Sequence, residues 1–269
     1  MKYTRHLITV TTSLLCAAVT WAAEEKPIKQ QLEELLPRMG ADKMGDRNGP
    51  QQQWQKMCFE AGAPGNEAKR VEVCKLMAEK LDPQTAAPAR VWLLWQLQFI
   101  GRGECVDAVA AAMDDGEESV RDAARRALAN NPAPEATAKL AAKLATAKDA
   151  KFKASLLDSL GYRGDPAGTA AAVKELGSSD AAVAAAAAGA LGKIATPEAV
   201  QALAAARSKA QGELRLRIGD ASLACAERLL KQNKTAEAAA IYKELSNPAE
   251  PKTVRMAALR GLMTATGGR

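Results

Sequence analysis

Leu97, Leu128, Leu160 and Leu191 recur at spacings of 31, 32 and 31 residues, and their surroundings recur with them. Eight residues before each leucine stands Ala89, Val120, Phe152 or Val183, and twelve residues after it stands Val109, Leu140, Ala172 or Leu203. A fixed period of this length with apolar columns at helical spacing means one helical hairpin copied several times. One hairpin cannot bury its apolar face alone, so the copies must stack into an all-α solenoid, each unit contacting its neighbours and the array presenting an extended surface. This architecture favours a binding scaffold over an enzyme.

The chain opens with Met1-Lys2-Tyr3-Thr4-Arg5, an apolar stretch from Leu7 to Val19, and small residues before Glu24-Glu25. A charged start, a short apolar core and small residues suited to cleavage are the marks of a secretory signal peptide, here residues 1–23. The apolar core is short for a membrane span, and Leu15 stands where acylation of Cys16 needs a small residue. The mature protein is therefore expected to be periplasmic or secreted, with no membrane attachment once the signal is removed. Cleavage takes away His6, the only histidine. The mature chain then lacks imidazole for Ser-His or Cys-His catalysis, for haem ligation, or for a mixed His/Cys zinc site. No cofactor and no catalytic residue is assigned.

Between the signal and the regular columns, residues 24–87 read as an N-terminal helical cap region. Leu32, Leu35, Leu36 and Met39 give one amphipathic helix, and Gly40 to Pro50 reads as loop. Two helical patterns follow, Gln51 to Ala61 and Asn66 to Leu81, hinged at Gly62-Ala63-Pro64-Gly65. The repeat region, residues 88–269, holds five units and an incomplete sixth. Glu117, Asp149 and Asp180 stand three residues ahead of the first apolar column, where an N-cap carboxylate accepts free amide hydrogens and favours the helix dipole. Arg90, Arg121 and Lys153 follow that column. Pro134, Pro166 and Pro197 open the second helices, in a first turn that tolerates proline.

The segments Val120-Arg121-Asp122-Ala123-Ala124-Arg125-Arg126-Ala127-Leu128, Val183 through Leu191-Gly192-Lys193-Ile194, and Asp165-Pro166 resemble the HEAT-repeat family in its short bacterial form, which includes repeats like those of chromophore lyases. The likeness covers roughly residues 88 to 265. It implies a right-handed α-solenoid whose work is to hold proteins or to position an attached domain. The fifth unit departs from this pattern: its first helix runs on to about Leu230, Asn233-Lys234 turns into Ala236 to Leu245, and Ala224, Leu229, Ala236, Ala239, Tyr242 and Leu245 look more like a tetratricopeptide hairpin than a HEAT one. Val254, Arg255 and Leu262 restore the register, and Met256, Leu259 and Met263 are left without a second helix to cover them. The expectation is that this C-terminal face continues into further chain, docks on a partner, or self-associates.

Four cysteines remain in the mature chain: Cys58, Cys74, Cys105 and Cys225. Cys58 and Cys74 lie on opposite arms of the hairpin hinged at 62–65, and export favours oxidation, so a Cys58–Cys74 disulfide is expected in preference to two buried thiols. Cys105 and Cys225 read as free and buried. Gly189 to Ile194 fails as a phosphate loop, because Ala187 and Ile194 replace the required glycine and Ser/Thr. Asp46-Arg47-Asn48-Gly49 fails as a calcium loop on Met44 and Gln55. Asp114, Asp115, Glu117 and Glu118 read as an acidic turn between units.

Removing the signal leaves 35 basic and 31 acidic residues. Excess positive charge raises the question of nucleic acid, and the repeat register answers it: Lys139 and Lys143 align with Ala171 and Glu175, then with Ala202 and Ala206. A surface that tracks phosphates keeps its sign from unit to unit, so no nucleic acid partner is expected. Trp92, Trp95 and Phe99 share one helix and are expected to seal the solenoid core against the cap hairpin. The function that follows is an exported, non-enzymatic scaffold for protein–protein interaction, binding along its concave second-helix surface, with Lys139, Lys143, Lys174 and Arg207 as candidate contact residues. The alternative is the repeat module of a larger exported enzyme, carbohydrate-active or cytochrome-like, whose catalytic part lies beyond residue 269.

Overall fold

A computed structural model describes residues 26–267, and the signal peptide expected at residues 1–23 lies outside them. Every regular element among the described residues is helical. The cap contains α1 (Ile28–Met39), α2 (Met44–Ala61) and α3 (Glu67–Glu79). Five hairpins follow: α4 (Ala87–Ile100) with α5 (Val106–Ala111), α6 (Glu118–Asn130) with α7 (Glu135–Thr146), α8 (Ala150–Arg163) with α9 (Thr169–Glu175), α10 (Ala181–Ile194) with α11 (Pro197–Lys209), and α12 (Gly212–Lys231) with α13 (Thr235–Leu245). Helix α14 (Lys252–Gly267) comes last.

The first helices pack in series, α4 on α6, α6 on α8, and so on to α14, while α5, α7, α9 and α11 form a second layer alongside. This is the α-solenoid that the leucine period requires. All four column leucines are buried, as are Val109, Leu140, Ala172 and Leu203. The long α12, the turn at Asn233 in the left-handed region (φ 62°) and the start of α13 at Thr235 match the divergent fifth unit expected from sequence.

The helix boundaries follow local chemistry. Asp149 caps α8 through the amide of Phe152, Asp180 caps α10 through the amides of Ala182 and Val183, and Thr196 caps α11 through that of Ala199. Glu117 departs from its expected role, for it precedes α6 without a side-chain cap. Its own amide donates to Asp115 Oδ1 at 2.9 Å. The segment from Met44 to Pro50, expected as loop, is the first part of α2, with Pro50 inside the helix. Proline removes one backbone donor there, and tertiary contacts offset the loss: Pro50 is buried, Gln51 Nε2 donates to Met39 O, and Trp92 Nε1 donates to Gln51 O.

Close approach of α8 to α10 and of α10 to α12 depends on glycine one residue past the leucine column. A Cβ on Gly161 would lie 2.9 Å from Ala190 Cα, and one on Gly192 would lie 2.7 Å from Ala221 O and 3.0 Å from Ala221 Cα. These neighbours are backbone atoms, so relief requires moving a helix. Gly192, within the run that fails as a phosphate loop, thus has a packing role in α10. Gly192→Ala is expected to destabilise the protein by about 1–3 kcal/mol through overpacking, despite alanine's better helix propensity. A chemical-denaturation midpoint equal to or above wild type would contradict this.

Candidate interaction surfaces

The basic column at the head of the first helices braces the first three units, while Ala184 stands at that position in the fourth. Arg90 pairs with Asp115 in a buried ion pair, Arg121 Nη1 donates to the carbonyls of Asp115 and Gly116, and Lys153 Nζ meets both oxygens of Glu175 at 3.0–3.1 Å. In the fifth unit Arg215 meets Glu250 at 2.8 Å and Arg207 meets the same carboxylate at 3.4 Å. Three of the four carboxylates of the acidic turn are likewise paired, Asp114 with Lys143, Asp115 with Arg90 and Glu118 with Lys151. Among the described residues no group of acidic or cysteine side chains is arranged to hold a metal.

A second set of contacts joins consecutive units. Arg163, at the end of α8, donates to Thr137 Oγ1 at 2.7 Å, Leu128 O at 2.8 Å, Ala133 O at 2.9 Å and Asn131 O. Thr137 in turn donates to Asp165 Oδ2 at 2.6 Å. The Thr137 hydroxyl, with the Ala167 amide and then Arg163, holds the Asp165 carboxyl below the usual aspartate range.

Of the four basic residues expected on the second-helix surface, two do not serve as free contacts. Arg207 is buried among Glu244, Glu250 and the backbone-bound Arg215, which corrects its assignment to the surface. Lys143 is largely covered and paired with Asp114. Lys139 is half-exposed and paired with Asp107 at 2.7 Å, and Lys174 is exposed. Around them the second helices expose alanines, including Ala138, Ala142, Ala170 and Ala205, interspersed with charged residues such as Glu135, Glu198 and Lys209.

The aromatic residues supply the feature that sequence reasoning misplaced. Trp92 is half-buried, but Trp95 is 47% and Phe99 74% exposed, so the triplet does not seal the core as expected. Leu93, Leu94 and Leu97 occupy the core face of α4 instead. Trp92 and Trp95 stack at a tilt, with ring centroids 5.6 Å apart. Helix α2 runs beside α4: Gln51 O accepts from Trp92 Nε1, and a Cβ on Gly62 would lie 2.7 Å from Ile100 Cγ2. Phe59, 80% exposed, lies in the last turn of α2, just before Gly62. Phe59, Trp95 and Phe99 are thus exposed aromatic residues on two helices that pack side by side. Repeat register offers a signal for this exposure, because Trp95 and Phe99 align with the exposed Arg126 and Asn130.

At the other end, Met256, Leu259 and Met263 of α14 are exposed, as their lack of a covering helix suggested. No helix among the described residues is long and apolar enough to cross a membrane.

The expected Cys58–Cys74 disulfide is not formed, and all four cysteines are free and buried. Cys58 Sγ packs against Met77 Sδ at 3.9 Å, whereas Cys74 Sγ turns to Ile100 O at 3.5 Å. The two thiols thus use different contacts of the cap, Cys58 within the α2–α3 hairpin and Cys74 towards α4. Burial pushes the Cys58 and Cys225 thiols up to about 12.

A family model described as HEAT repeats matches residues 137–224. No curated protein matches the chain in sequence. Among solved structures, it is similar to an engineered protein at 18% identity and TM-score 0.44, covering 89% of this chain and 69% of the other. It is also similar to a designed armadillo repeat protein in complex with a (KR)4 peptide, at 17% identity and TM-score 0.32, covering 86% of this chain and 99% of that one.

Proposed function

Because residues 137–224 match HEAT repeats, we propose that the protein is an exported, non-enzymatic scaffold that binds a protein partner through the exposed aromatic residues of α2 and α4. The observation that carries this reading is the exposure of Phe59, Trp95 and Phe99 on neighbouring helices. Water-exposed aromatic rings in one region are unfavourable unless something covers them, and aromatic residues are enriched in protein interfaces. The second-helix surface is the weaker candidate, since Arg207 and Lys143 are engaged internally and Lys139 is paired. Export rests on the signal-like residues 1–23.

Affinity capture from periplasmic extract followed by mass spectrometry tests the proposal. Wild type should enrich a discrete protein over a tag-only control. Phe59→Ala combined with Phe99→Ala should weaken its binding at least about tenfold, as expected when aromatic anchors are truncated. Lys139→Glu combined with Lys174→Glu should retain it. The reverse order of effects would transfer the interface to the second helices, and the absence of any enriched protein would defeat the scaffold reading.

A further inference from the structure

Cys74 and Cys105 converge on one turn. Cys74 projects from α3 towards the end of α4, where its Sγ lies 3.5 Å from Ile100 O. Cys105 ends the short 3-10 turn Gly103–Cys105, which packs directly on α3, and its Sγ lies 3.2 Å from Arg102 O. Only Gly101 separates the two accepting carbonyls, and a Cβ on that glycine would come within 2.7 Å of Cys105 Sγ. Arg70 fastens the same corner: its Nη1 lies 3.9 Å from Cys74 Sγ and 2.9 Å from Ile100 O, and pairs with Glu104, the residue beside Cys105. Both thiols are almost fully buried, so their approach is fixed by the packing of α3 on the 101–105 turn.

We infer that Cys74 and Cys105, not Cys58, form the disulfide of the exported protein, an inference that rests on the export reading for its setting. The bond would tie the cap to the first repeat by closing the chain across α4. Burial raises both thiols, Cys105 to about 11, and Cys105 itself raises Cys74, which is a sign of their mutual proximity. Such thiols supply little thiolate in the folded protein and are closed to solvent, so the bond forms as the chain folds. Two thiols lose two protons and two electrons as one S–S bond forms. A disulfide oxidant, either a small-molecule disulfide or a disulfide oxidoreductase, accepts them as its own S–S bond opens into two thiols.

Trypsin places each cysteine in its own peptide: Cys58 in 57–69, Cys74 in 71–75, Cys105 in 103–121 and Cys225 in 218–228. Wild type and a Cys58→Ser/Cys225→Ser variant are unfolded, reduced, refolded in a glutathione/glutathione disulfide buffer, alkylated and digested without reductant. The expected product in both is peptide 71–75 linked to 103–121, with Cys58 and Cys225 alkylated in wild type. Free alkylation of Cys74 and Cys105 in refolded wild type, or linkage of 57–69 to 71–75, would overturn the inference. Export is read separately, from the mass of the N-terminus in periplasmic material. Loss of signal cleavage would therefore count against export, while the refolding result stands on its own.

Discussion

Glu250→Gln is expected to destabilise the C-terminal half of the solenoid by about 3 kcal/mol, near the low end for breaking a buried ion pair. Glu250 is buried and receives Arg215 through Nη2 at 2.8 Å and Nε at 3.3 Å, with Arg207 Nε at 3.4 Å on the same carboxylate. Glutamine keeps the shape and removes the charge, so Arg207 retains only the exposed Glu244 and Arg215 retains the Arg207 carbonyl. Arg215 keeps a quarter of its side chain in water, which screens its part of the loss and places the estimate at the low end. Urea unfolding followed by circular dichroism reads the effect. Replacing the group together, by Arg207→Met, Arg215→Met and Glu250→Leu, should recover much of the stability, because no charge is then left buried alone. An unchanged midpoint for the single variant would show that the cluster contributes little.

Leu160→Ala should cost about 2–5 kcal/mol, the sum of lost burial and the cavity left behind. Leu160 is fully buried in α8 and stands between units that depend on each other for their cores. Amide exchange should accelerate in α6 and α10 as well as in α8, since each repeat is stabilised chiefly by its neighbours. Unchanged protection in α6 and α10 would contradict that coupling even if the global stability fell.

Periodicity made the stacked helices legible because the buried columns repeat with little change: Val109, Leu140, Ala172 and Leu203 differ in volume but share one environment. The same register could have placed Arg207 correctly. It aligns with Met113, Leu144 and Leu176, all buried, so a charge there has to find partners inside the protein. Those partners, Glu244 and Glu250, are more than 35 residues away in sequence and come from the divergent fifth unit, where the column pattern gives no guidance. Helix α4 was ambiguous for another reason. It carries two apolar stripes, Leu93/Leu94/Leu97 and Trp92/Trp95/Phe99, and helical spacing alone cannot say which one faces inward. The start of α2 was hidden by glycine and proline, whose local preference for loop is overridden by contacts with Met39 and Trp92. The cysteine geometry depended on rotation of α3 about its axis. Small differences in that angle turn Cys74 from Cys58 towards the 101–105 turn, and no spacing rule specifies them.

The clasp made by Arg163 bears on how such an array can grow or shrink. Its four acceptors belong to the preceding unit, so the turn that links α6 to α7 is completed by a side chain supplied from α8. Deleting the α8–α9 hairpin would leave those carbonyls without their donor, and a transplanted hairpin lacking arginine at that position would do the same. The repeats look alike in sequence, yet they are not interchangeable bricks: the smallest portable piece here is a pair of neighbours, and insertion or excision is best tolerated at boundaries that no such side chain crosses.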